Sequence, residues 1–300
     1  MGSDIANKHI FQNYFKEVRS RYLTHDYTEG TLRTPFENFI KSFSPSIRLI
    51  HEPKRTKGLG APDFKAFYRS RKVGFIETKD LDANLDNILE SEQLKKYIES
   101  INNLILTDYC RFILIRNGQK IFDFNLFTLA DLDNARFTIP DDKIEIFTQF
   151  INEFFSYKLP TISSAEELAR ELSKKAKLLK DFAKEQLEED LKAENGGQSS
   201  IYDFYEGIKE LIKDISIEDC ADAYAQTVTY GLFLARKNCK DKLERINAAS
   251  YIPKSVGIIK KIFINISGDA FPSNISWLSL IHISEPTRLL SISYAVFCLK

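Results

Sequence analysis

The chain has 300 residues with 42 Lys and Arg balanced by 42 Asp and Glu, and 43% of its residues are hydrophobic. That length supplies core for one large domain or two modest ones, while zero net charge excludes the global basic signature of a nucleic-acid binder. Cys110, Cys220, Cys239 and Cys298 lie far apart and show no paired metal spacing, no basic head with an apolar run opens the chain, and nothing before the C-terminus approaches the length of a membrane span; reduced thiols, a cytoplasmic location and no membrane partner are expected.

Residues 5 to 24 carry Ile5, Ile10, Phe11, Tyr14, Phe15 and Val18 on or near one stripe, which predicts a helix. A second helix is expected from Thr31 to Phe43, with Leu32, Phe36, Phe39, Ile40 and Phe43 at helical spacing, Pro35 in its first turn and Glu29 just before it. Ile47 to Ile50 reads as a first strand, followed by a connection rich in Lys, Gly and Pro.

The stretch from Gly60 to Lys79 holds the densest chemistry. Two runs rich in aromatic and β-branched residues face each other around Ser70, a hairpin signature. Symmetric folding about Ser70 opposes Asp63 to Glu77, and strand alternation puts Glu77 and Lys79 on one face with Thr78 turned away. Two carboxylates and a backbone carbonyl, that of Thr78, satisfy a hard cation such as Mg²⁺ that keeps several waters. Such an ion lowers the pKa of a bound water and neutralises a phosphodiester, and the compact ammonium of Lys79 suits orienting that water and stabilising developing charge. These residues equally fit a partly solvated Glu77–Lys79 pair on an ordinary strand, with Asp63 helping a turn after Pro62. Lys54, Arg55, Lys57, Lys65, Arg69, Arg71, Lys72 and Lys79 crowd the same segment. The cluster reads either as a patch for a phosphate backbone or as solvated hairpin residues.

Asn84 to Asn103 repeats apolar residues as an amphipathic helix does, and places Gln93 and Tyr97 on one face. Tyr109 to Arg116 and Lys120 to Phe127 flank Asn117-Gly118, a strong hairpin signal because both turn positions tolerate positive φ. Phe147 to Tyr157 predicts a helix closing the first domain near Pro160. Beyond it, Ser164 with Glu167 forms a capping box for a long charged helix with a leucine stripe, stopped by Asn195-Gly196-Gly197. Two more helices are expected, Ile201 to Lys213 and Glu218 to Arg236, the latter started by Ser216 with Asp219.

Five blocks carry a resemblance in order: Glu52-Pro53-Lys54-Arg55, Gly60 to Phe64, Ile76 to Asp80, Ser91 to Tyr97, and Asn103 to Tyr109. Asp63, Glu77 and Lys79, with Pro62 before the first acid, resemble the PD-(D/E)xK nuclease signature. The blocks together resemble the N-terminal nuclease of type IIG and type ISP restriction-modification enzymes over roughly residues 25 to 277. The resemblance implies an α/β restriction-endonuclease-like mixed sheet flanked by helices, followed by an all-α coupler region. It implies a nuclease domain at 1–160, a helical coupler at 161–277, and Tyr224 to Leu232 as part of that coupler. It implies Asp63, Glu77 and Lys79 as catalytic residues. Asp63, Glu77 and the Thr78 carbonyl would be Mg²⁺ ligands, joined by Glu29 as the best match to the family's first-helix acid, with Glu37 as the second choice. Gln93 and Tyr97 would lie beside the site as DNA or water contacts, with Lys54 and Arg55 on DNA.

The function expected is Mg²⁺-dependent hydrolysis of double-stranded DNA. Adenine methylation with S-adenosylmethionine, and target recognition, would belong to domains beyond this chain, because no Gly-rich cofactor loop, Asn-Pro-Pro-Tyr-type run or Walker lysine motif occurs in it. A stand-alone repair-type nuclease, or a DNA-binding module with a vestigial triplet, are the other readings. Residues 278–300 resemble translated sequencing-adapter sequence and are expected to be a non-native tail.

Overall fold

The computed structural model describes residues 2–25, 27–51, 62–158, 164–193, 197, 199–210, 212–239, 248–253, 260 and 264. The chain divides into two compact units. Met1–Pro53 and Pro62–Leu159 form the first, and the described residues from Ser164 onward fall in the second. The expected tail at 278–300 and the Asn195-Gly196 stop lie outside the described residues.

The first unit opens with α1 (Gly2–Leu23) and α2 (Glu29–Ser42), which pack on each other. Helix α2 starts two residues earlier than the sequence suggests, because the Thr28 amide finds the Thr31 hydroxyl at 3.0 Å and so closes the first turn there. Pro35 consequently lies inside the helix and not in its first turn. It is tolerated at the expense of one backbone hydrogen bond.

Six strands follow: β1 (Ile47–His51), β2 (Phe64–Tyr68), β3 (Arg71–Thr78), β4 (Asn103–Thr107), β5 (Arg111–Arg116) and β6 (Gln119–Asn125). They form one mixed sheet in sequence order, antiparallel throughout except for the parallel pair β3–β4. A parallel pair needs a crossover, and this one carries α3 (Leu85–Leu89) and α4 (Glu92–Ser100). The single helix expected over Asn84 to Asn103 is therefore two. Ser91 accepts a hydrogen bond from the Leu94 amide and starts a new helix, while Asn103 already belongs to β4. Strand β4 itself was not anticipated as a strand. It is buried along its whole length, and a strand covered on both faces shows a continuous apolar run instead of alternation. The Asn117-Gly118 turn has φ of 50° and 82°, the paired positive values its sequence requires.

The sheet is completed by α5 (Leu129–Asp133) and α6 (Asp141–Ser156). Helix α6 begins six residues before the expected Phe147, behind Pro140 and with Asp141 and Asp142 favouring its positive end. One face of the sheet is sealed by aromatic side chains from α1, α2 and α6. Tyr14 stacks on Phe39 at 4.1 Å, and Phe147 meets Phe112 edge-on at 4.9 Å. Burial of each such ring contributes about 1.5–3 kcal/mol.

The second unit is helical: α7 (Ala165–Lys192), α8 (Ser200–Lys209) and α9 (Ile217–Asn238), with α7 and α8 each packed on α9. Serine side chains start all three, Ser164, Ser199 and Ser216 accepting from the amides of Glu167, Tyr202 and Asp219. Lys180 and Lys184 of α7 reach Glu218 of α9 at 2.6 and 2.7 Å, and their hydrogen bonds pull its carboxyl down to about 2. Among the described residues, no helix is long and apolar enough to cross a membrane.

Candidate active site

The β2–β3 hairpin turns through Arg69 and Ser70, with Arg69 at φ 56°. Next to the tip the rungs are Tyr68–Arg71 and Phe67–Lys72. Val73 is then an extra residue, and the pairs resume as Ala66–Gly74, Lys65–Phe75 and Phe64–Ile76. The ladder ends there, with Asp63 the residue before β2 and Glu77 the residue after Ile76 in β3. Gly74 is required beside the bulge, because a Cβ there would stand 2.3 Å from the Asn103 carbonyl oxygen. The Asn103 side chain closes the contact by donating to the carbonyls of Val73 and Phe154, both at 3.0 Å.

Asp63 and Glu77 are nearly sealed from water, with side chains 3% and 6% exposed. Burial of that depth requires partners for each charge. Asp63 Oδ2 accepts from the Thr78 amide at 2.8 Å and from its hydroxyl at 2.7 Å, while Oδ1 takes the guanidinium of Arg33. Asp63 is thus held by Thr78, the residue between Glu77 and Lys79, whose side chain alternation turns away from theirs. Glu77 Oε1 accepts from Lys79 Nζ at 2.6 Å. Lys79, at 25% side-chain exposure, is the most open of the three. Its amide donates to the Thr107 carbonyl at 2.9 Å, which fixes the end of β3 to the end of β4.

The turn beyond Thr107 is held from several sides. Tyr109 is buried at φ 74°, its amide bonds the Thr107 hydroxyl at 2.9 Å, and its carbonyl accepts from the Tyr14 hydroxyl at 2.8 Å. Asp108 Oδ1 accepts from the amides of Cys110 and Arg111 at 3.0 and 2.6 Å. Burial raises the Asp108 carboxyl above its usual value and pushes the Tyr14 hydroxyl and Cys110 thiol well up, so the tyrosine and cysteine stay neutral here.

The remaining candidates are spread out. Glu29 is the first residue of α2, and its side chain lies outside the described residues, as do Lys54 and Arg55 entirely. Glu37 is engaged with Lys41 and with His51 Nε2, the latter at 2.7 Å. Burial works to raise its carboxyl, but those hydrogen bonds outweigh it and hold the group below its usual value. Gln93 Nε2 donates to the Tyr97 hydroxyl at 3.2 Å, with Tyr97 fully buried on α4.

Among the described residues, no group of three or more His, Cys, Asp or Glu gathers to hold a metal. A hard cation here would have two carboxylates, backbone oxygen and water. The donor set of Asp63 and Glu77, all oxygen and largely buried, fits Mg²⁺ in kind. Arg33 was missed by sequence reasoning, although it had a signal. Glu29, Arg33, Glu37 and Lys41 recur every fourth residue with mixed sign and so share one stripe of α2.

No family model matches this chain, and no curated protein matches it. Seven chains of solved structures are similar. One of them, titled "cryoEM structure DrdV-DNA complex", is 18% identical over 50% of this chain and 99% of that chain, with a TM-score of 0.38.

Proposed function

We propose that the first unit is the catalytic part of a Mg²⁺-dependent endonuclease acting on double-stranded DNA, of the kind joined to an adenine methyltransferase in type IIG and type ISP restriction-modification enzymes. The observation that supports this reading most is the pairing around Thr78: Asp63 bonded to Thr78 itself, and Lys79 bonded to Glu77, at one end of the sheet. Asp63, Glu77 and the Thr78 carbonyl would hold Mg²⁺, which when bound supplies charge neutralisation and a more acidic water. Lys79 would leave Glu77 in part to orient that water and to meet charge developing on the phosphate. Its partial exposure and its tether to Thr107 suit a side chain that works at the surface from a fixed base.

The face bearing Glu77 also suits a polyanion. By strand register, Arg48, Phe67 and Lys72 form one rung, and Ile50, Lys65 and Phe75 form the next, Phe75 lying two residues before Glu77 on the same face. Arg48 lies 5.0 Å over the Phe67 ring and Lys72 4.9 Å over that of Phe75. Cations steadied on aromatic faces suit phosphate contact, and would make binding fall with salt.

A second reading is favoured by one observation. Each acid already has its own cation, Arg33 or Lys79, as in a catalytically inert DNA-binding module. Nicking of supercoiled plasmid in Mg²⁺ separates the two. The nuclease reading expects Asp63→Asn, Glu77→Gln and Lys79→Met each to lose about 10²-fold or more in rate while still binding DNA. DNA binding by pure wild-type protein with no metal-dependent cleavage supports the module and sinks the nuclease.

A further inference from the structure

We infer that Arg33 is a resident counter-ion of Asp63 and must give up that place when a divalent cation binds. The inference rests on the reading of Asp63 and Glu77 as ion ligands. It begins from how Asp63 is occupied. Oδ2 already receives two donors from Thr78, and Oδ1 receives Arg33. A carboxylate offers about four acceptor positions, so an ion entering from solvent has only the Oδ1 side left, where the guanidinium stands.

The neighbouring acid repeats the pattern, Glu77 being matched by Lys79. Acids buried to this depth need such cationic partners. A divalent ion at Oδ1 adds two positive charges beside a guanidinium in a poorly screened place, and like charges at such range repel strongly. Arg33 therefore shifts as the ion enters. Arg33 is thus a positioning residue. It holds the Asp63 carboxylate in place for the ion and sets how tightly the ion is held.

The test uses the full chain with Ca²⁺ as the probe, following thermal unfolding and Ca²⁺ affinity by calorimetry in wild type, Arg33→Met, Arg33→Lys, Asp63→Asn and the Arg33→Met/Asp63→Asn double variant. Arg33→Met is expected to melt lower than wild type in EDTA, to recover most of the loss in Ca²⁺, and to bind Ca²⁺ about tenfold tighter, or ~1.4 kcal/mol. Asp63→Asn abolishes the Ca²⁺ response, and the double variant is no less stable in EDTA than Arg33→Met alone. Equal Ca²⁺ affinity and equal melting shifts in wild type and Arg33→Met, both abolished by Asp63→Asn, overturn the role of Arg33 and leave the ion site standing. Absence of any Ca²⁺ response in wild type and Arg33→Met overturns both. Should Arg33→Met fail to fold, the guanidinium ¹⁵N signal of Arg33 in wild type, assigned through Arg33→Lys, decides. Movement on adding Ca²⁺ supports the inference, and an unmoved signal ends it.

Discussion

The sheet unit and the helical unit each contain carboxylates gripped by cations, and the two clusters differ in depth. In the helical unit Glu218 is half-exposed and held by Lys180 and Lys184 from the facing helix. In the sheet unit Asp63 and Glu77 are nearly sealed, and their partners Arg33 and Lys79 are themselves mostly covered. An exposed clamp costs little to form and contributes little. A buried pair must recover a large desolvation cost, and hydrophobic residues of the same size often do as well for stability. Burying two acids at the base of one hairpin is thus a poor way to hold a fold together and a good way to prepare a reactive site.

That contrast can be broken in several places. The largest effect is expected for Asp63→Ala, which takes the Asp63 carboxylate away from Arg33 at 15% side-chain exposure and removes the acceptor of two Thr78 hydrogen bonds. A loss of about 3–5 kcal/mol in urea unfolding is expected, little changed by 1 M salt because the pair is shielded from counter-ions. A loss under about 1 kcal/mol would put this pair in the same class as the exposed clamp. Gly74→Ala comes next, since the added methyl meets the Asn103 backbone oxygen, which cannot swing aside. About 1–3 kcal/mol is expected, together with weaker divalent-ion binding as the base of the hairpin moves. Ser216→Ala should cost about 1 kcal/mol through loss of the Asp219 amide bond, with ion binding untouched.

The smallest effect belongs to Glu218→Gln and shows chiefly as pH dependence. The folded carboxyl titrates at about 2 against a usual 4.5. A depressed acid contributes its full stabilisation above the unfolded value, and loses it as pH falls from about 4.5 through about 2. Wild type and Glu218→Gln should therefore differ in melting temperature at pH 6 and converge by pH 2. A difference that persists at pH 2 would show that the clamp works by packing and not by charge.

Signals confined to a few neighbouring residues could be read directly from the sequence. Asn117-Gly118 demanded its turn, Ser164 and Ser216 announced their helices, and the stripes of α1 and α2 are those the core uses. Features set by distant partners could not. β4 lacks alternation because both its faces are covered, and the break at Ser91 lies inside an apolar repeat that continues across it. Arg33 stands 30 positions from Asp63, and only the mixed-sign stripe on α2 marked it as unusual. For the candidate site, symmetry about Ser70 sets Asp63 across from Glu77, whereas the hairpin turns about Arg69 and Ser70 together and reaches its Phe64–Ile76 pairing only through the extra residue Val73. The grip of Arg33 and the tether to Thr107 were not legible.

The single surplus residue in β3 has a bearing on inheritance. Regular pairing continued from the two-residue tip would oppose Asp63 to Ile76 and Glu77 to Pro62, moving the acids out of step by one rung. Val73 absorbs that offset, and Gly74 against Asn103 keeps it where it is. Substitutions at the tip between Tyr68 and Arg71 can therefore accumulate over generations without disturbing the acids. A one-residue insertion or deletion between Gly74 and Glu77 cannot, because the error passes straight down the ladder and turns one acid to the opposite side.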